Sequence, residues 1–137
     1  MISAKKIFQL VPSKNVCQIY ELLHRGNFVS FPLTNEGRQR VDALVSNING
    51  AYFGKVAYPS LEEKAVAYLY FLIKDHPFID GNKRTASITF EVVCELNGIQ
   101  PDYGDFGLDA LAIFIEKIKE KDPRTVILVL SEMLFNS

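Results

Sequence analysis

The stretch "HPFIDGNKRTA", His76 to Ala86, decides how the rest of the chain is read. It crowds an imidazole, a carboxylate, a carboxamide, a lysine and an arginine around one glycine, with apolar segments on both sides. A residue before proline is driven out of helical geometry, so the helix running through YLYFLIK should end near Asp75, with His76 at its exit. Gly81 frees the backbone to turn, and a second helix is expected from about Lys83. The backbone N–H groups of Gly81, Asn82 and Lys83 would then converge at the positive end of that helix, where phosphates bind. Lys83 and Arg84 add full charges there, and the Asn82 carboxamide adds a donor. Asp80 is awkward in such a nest unless it holds a cation. Magnesium, which takes one or two carboxylates plus phosphate oxygens, suits it. Asp80 could also cap the helix that follows, and it could serve both roles.

His76 is the group able to take a proton from an attacking hydroxyl. A helix C-terminus favours its charged form and the nearby cations oppose it, two effects the sequence does not rank. Phe78 and Ile79 read as apolar pegs that fix the loop against the core. The parts amount to a phosphate cradle, a metal carboxylate and a general base. That equipment moves part of a nucleotide triphosphate onto a hydroxyl.

Outward from this loop the punctuation is helical. Residues 14–25 put Val16, Ile19, Tyr20 and Leu23 on one face, with Gly26 after them. Thr34 can start a helix carrying Val41, Leu44, Val45 and Ile48. Ser60-Leu61-Glu62-Glu63 is a capping box, and the helix it opens is apolar nearly all round, as a central helix must be. The helix after the loop stops at Asn97-Gly98. Leu108, Leu111, Ile115 and Ile118 give another apolar face, and Asp122-Pro123 opens a last helix. Its VILVL run fits a strand on periodicity alone, but the Asp-Pro start and the helical neighbours favour a helix. AYFGKVAY, 51–58, reads as a short hairpin around Gly54-Lys55. The expected fold is all-α, about six helices with one short β excursion. The first eleven residues and NFVSFP, 27–32, give no clear signal.

The 137 residues suit one domain, 1–137, with 48% hydrophobic and 23% charged content typical of a soluble globular protein. A net charge of −1 provides no overall positive field, so nucleic acid is not an expected partner and any anion site must be local. Cys17 and Cys94 are far apart and read as reduced core thiols, which points to a cytoplasmic setting. No apolar run approaches the roughly 20 residues that span a bilayer, and MISAKKIFQLV does not read as a signal peptide. Tyr68, Tyr70 and Phe71 read as core packing, and EKIKEKD, 116–122, as a solvated helix face.

The loop closely resembles the signature of the Fic/Doc family, HxFx[DN][GA]N[GK]R, with His76, Phe78, Asp80, Gly81, Asn82, Lys83 and Arg84 filling every fixed position. The resemblance is strong over about 34–99 and weak before residue 30. It implies an all-α Fic fold whose loop joins two central helices. It also implies His76 as base, Asp80 as magnesium ligand, and Gly81, Asn82, Lys83 and Arg84 as binders of the ATP phosphates. The hairpin, with Phe53, Gly54, Lys55 and Val56, would be the flap that pairs with the target's backbone as an added strand. Two departures bear on the reaction. The adenylyl-transferring branch usually reads HPFxxGNGRxxR, whereas here Lys83 replaces the second glycine and Ser87 the closing arginine. That pattern is similar to the Doc branch, whose toxin members move the terminal phosphate to a protein threonine. Doc-like phosphotransfer to a protein hydroxyl is therefore favoured over adenylylation. A silent nucleotide- or protein-binding module is the reading from another class. Self-restraining members carry [ST]xxxE[GN], but the only Glu before Gly or Asn is Glu36, with Pro32 where Ser or Thr is required. If the protein is restrained, a separate antitoxin chain is the expected means.

Overall fold

The computed structural model describes residues 7–52, 54–120 and 122–135, with the backbone alone at 51 and 52. Six helices carry the fold: α1 Ser13–Arg25, α2 Asn35–Asn49, α3 Leu61–Lys74, α4 Asn82–Leu96, α5 Gly107–Lys117 and α6 Pro123–Phe135. One antiparallel hairpin, β1 Ala51–Tyr52 and β2 Lys55–Val56, pairs Ala51 with Val56 and Tyr52 with Lys55. Gly54 takes the left-handed φ of 77° that this tight turn requires. The fold is all-α, as expected.

Local chemistry sets the ends. The Thr34 hydroxyl accepts from Gly37 N–H to start α2, and Ser60 accepts from Glu63 N–H to start α3, both at 3.0 Å. Asp122 accepts from the Arg124 N–H at 3.1 Å and the Thr125 hydroxyl at 3.0 Å at the head of α6. VILVL is helical: Val126, Ile127, Leu130, Ser131 and Leu134 are buried while Leu128, Val129 and Met133 face out, a 3.6-residue period.

α3 is the central element. Lys64 to Tyr70, Leu72 and Ile73 are all buried, and its closest partner is α4, with α6, α2 and α5 around it. Tyr68 and Tyr70 are core residues, as read, and Phe71 packs edge-on against Tyr70. Segment 7–12, unread in the sequence, is tied down. The buried Tyr68 hydroxyl donates to Val11 O at 2.8 Å and accepts from Val11 N–H at 3.2 Å. The Asn97 side chain exchanges a pair of bonds with Gln9, at 2.7 and 3.0 Å.

Both cysteines are buried and free. Burial pushes the Cys94 thiol up to about 12, and burial does the same for the Tyr103 hydroxyl. Unfolding restores ordinary values near 9.0 and 10.0, so between those and about 12 the unfolded chain holds fewer protons than the native one. Stability should be flat through neutral pH and fall as pH rises above about 9, by up to about 1.4 kcal/mol per pH unit through Cys94. Urea midpoints at pH 7.5, 9 and 10.5 check this. A constant midpoint would contradict the burial of these groups.

Candidate active site

The link from α3 to α4 holds together through one buried side chain. The Asn82 Oδ1 accepts from the Phe78 N–H at 3.0 Å, and its Nδ2 donates to the Phe78 carbonyl at 2.8 Å. These two bonds fix which end of the carboxamide is which. The second Nδ2 hydrogen then points to His76 Nδ1, 3.1 Å away. So assigned, Nδ1 is the accepting nitrogen, and a neutral ring carries its hydrogen on Nε2. The carboxamide expected to donate to phosphate is spent inside the loop, because every bond it can make there removes an unpaired buried group. What remains of Asn82 for an anion is its backbone N–H, which like that of Lys83 has no acceptor one helical turn back.

His76 sits just past the α3 C-cap at Asp75, with a left-handed φ of 46°. It leaves the helix, as its place before Pro77 requires, but into a conformation that costs a non-glycine residue about 1–3 kcal/mol. The ring is exposed. Phe78 is buried and stacked on Tyr20 at 4.2 Å and 17°. Ile79 is not a peg: 63% exposed, it faces the cleft, because only one of two successive side chains can point inward here. Gly81 takes φ 76° as N-cap of α4, and a Cβ there would lie 2.3 Å from Val29 Cγ1. The N-cap position itself is Gly81, with no side chain to cap α4, and Asp80 stands one residue before it.

The loop opens onto a cleft of about 700 Å³ lined by His76, Asp80, Gly81, Asn82, Lys83 and Arg84, and the sequence-predicted loop residues therefore meet in one place. Ser87 lines it too, one turn along α4. Asp80 is exposed and forms no ion pair with any described residue; burial, then the Asp80 charge, holds the Tyr20 hydroxyl above its ordinary value. Arg84 donates from Nη1 to Phe28 O at 3.2 Å and lies 5.5 Å from the Phe28 ring. Lys83 Nζ meets Glu116 Oε2 of α5 at 2.8 Å. Gly54, Lys55 and Val56 of the hairpin are exposed; Phe53 lies outside the described residues.

Sequence reasoning missed two contributors. Segment 27–32 forms a wall of the cleft: Val29 is buried under Gly81, Phe28 O receives Arg84, and Phe31 O receives the Tyr20 hydroxyl at 2.6 Å. Glu116, taken with EKIKEKD as solvated, is half-buried and faces the motif lysine. The Lys83 hydrogen bond is the largest cause holding its carboxyl below the ordinary value, with the Lys83 and His76 charges helping and desolvation opposing.

An α-helical frame whose central pair is joined by this loop defines a class. The chain belongs to the Fic/DOC family, whose model matches residues 10–94 and so takes in α1 as well as the loop. Over 82 residues it is 34% identical to the protein named Toxin Doc of Mycolicibacterium smegmatis, a match covering 60% of this chain and 62% of that protein. Less than two thirds of that relative is therefore spanned. No solved structure matches the chain.

Gly81→Ala is expected to lose about 2 kcal/mol or more in denaturation, from the left-handed φ and the Val29 contact together. Wild-type stability in that variant would mean that the loop does not hold this turn. Asn82→Ala strands the buried Phe78 N–H and should cost about 1–3 kcal/mol. The His76 ring resonances should move with it in NMR, and unchanged resonances would refute the Nδ1 contact.

Proposed function

We propose that this chain transfers a phosphorus-containing group from a magnesium nucleotide to a hydroxyl of a protein target, and that the group is the terminal phosphate. One observation carries the reading: a braced loop puts an imidazole, a carboxylate with no ion pair among the described residues and two cations on the same cleft wall. In the resting loop the Nδ1 lone pair is engaged by Asn82. His76 acts as base when the incoming hydroxyl replaces that contact, its proton passing to Nδ1 as its oxygen attacks phosphorus. Asn82 keeps both bonds to Phe78 meanwhile, so the loop stays formed. Lys83, Arg84 and the free N–H groups at the head of α4 hold the phosphate chain. The nucleotide's departing part leaves with the electron pair of the broken P–O bond.

Asp80 fits magnesium that arrives with the nucleotide. Among the described residues no group of three or more His, Cys, Asp or Glu could hold a metal by itself, so phosphate oxygens and water would supply the rest of its coordination. Bound there, the ion would neutralise charge on the phosphates. Ser87 at the place of the closing arginine, with Lys83 in the motif, favours terminal phosphate over adenylyl transfer. The exposed edge at Lys55–Val56 is where the target would add a strand. A separate antitoxin is the proposed restraint, supported by the relative's name and by the missing Ser/Thr before Glu36.

Incubation of the chain with magnesium, a bacterial protein extract and ATP labelled at the α or γ position tests this reading. Label from γ alone is the expected result. Label from α would mean adenylylation, and none from either would leave a binding module. His76→Ala should lower transfer by about 10²-fold or more while ATP binding is kept. Transfer surviving that change would remove His76 as base.

A further inference from the structure

Cations in the first turn of a helix oppose its dipole, and Lys83 and Arg84 both sit there. In this molecule each already faces a partner. Arg84 has a carbonyl, Phe28 O, but Lys83 has a full negative charge, Glu116. Glu116 lies outside the motif, in the last turn of α5. That turn is anchored from α3: Lys74 Nζ donates to Glu116 O at 3.3 Å and to Ile118 O at 2.6 Å. The carboxylate is thus presented to the cleft by a fixed backbone and not by a free chain end.

The cleft wall holds four carboxylates, Asp80, Glu91, Asp109 and Glu116, against the cations of Lys83 and Arg84. Only Glu116 touches one of those cations. A lysine ammonium donates three hydrogen bonds, and one of them is spent on Glu116.

We infer that Glu116 is the resting counter-anion of Lys83, a positioning residue occupying the place beside the ammonium that a nucleotide phosphate must take or share. It keeps the motif cation in the cleft while no phosphate is present, and it weakens phosphate binding in doing so. Both groups are partly open to solvent, 44% and 34%, so exchange of a carboxylate for a phosphate requires only side-chain motion. The inference rests on the phosphate-holding role proposed for Lys83.

Calorimetric titration of the full chain with magnesium ATP and, separately, with inorganic tripolyphosphate tests it. Glu116→Gln should tighten both about threefold to tenfold, with unchanged thermal melting, and should steepen the salt dependence of binding. Glu116→Asp, which keeps the charge, should stay near wild type. Lys83→Met should weaken both ligands, and adding Glu116→Gln to it should give back much less than the gain in wild type. Equal or weaker binding by Glu116→Gln, with Lys83→Met weakened, overturns the Glu116 role alone. A gain as large without Lys83 as with it overturns action through that lysine. If Lys83→Met binds as wild type does, or neither ligand binds any variant, the phosphate site itself is wrong and both readings fall.

Discussion

A single carboxamide closes the turn that everything else serves. Asn82 is 5% exposed, and its three bonds leave no polar atom of the side chain unpaired. An unpaired buried amide or carbonyl costs about 1–3 kcal/mol, so the Phe78 backbone has few alternatives to this arrangement. The bracing is local in sequence, four to six residues, yet it joins two helices of the core. It also ties the strained His76 backbone to a buried anchor, and it is such surrounding constraint that lets strain persist at a working site.

From that turn the constraints spread through packing. Phe78 stacks on Tyr20 of α1, and Val29, just beyond α1, fills the space that only a glycine at 81 leaves open. The first turn of α2 comes close as well: a Cβ on Gly37 would lie 3.3 Å from the Pro77 carbonyl. Three elements besides α3 and α4 therefore shape the loop, and none of them carries a motif residue. The motif can be short because the elements around it supply the rigidity.

This explains what could be read from the chain and what could not. Thr34, Ser60, Asn97-Gly98 and Asp122-Pro123 act within a few residues of themselves, so the starts of α2, α3 and α6 and the end of α4 were legible from local chemistry. The set His76, Asp80, Gly81, Asn82, Lys83 and Arg84 was legible because its members are contiguous. Val29 and Glu116 act across 52 and 33 residues, on Gly81 and Lys83 respectively, and nothing in their own neighbourhoods signals it. The Asn82 carboxamide was read as a ligand donor because sequence shows a group's capacity and not its prior commitments. Ile79 was misplaced for a related reason: an apolar residue beside an anchor need not be buried when a cleft lies alongside.

The hairpin raises the last question of geometry, because it enters the chain at the opposite end of α3 from His76. A fourteen-residue helix is about 21 Å long, far beyond hydrogen-bond reach. The exit of the hairpin removes the difficulty by folding back along α3. Ala57 N–H bonds to Gly50 O at 3.3 Å, Tyr58 is buried with its ring 6.1 Å from that of Phe71, and both residues line a cavity of about 230 Å³ with Phe71 and Asp75. Asp75 is the residue before His76. α3 thus anchors the exit of the hairpin, at Tyr58, beside the turn that leads into His76.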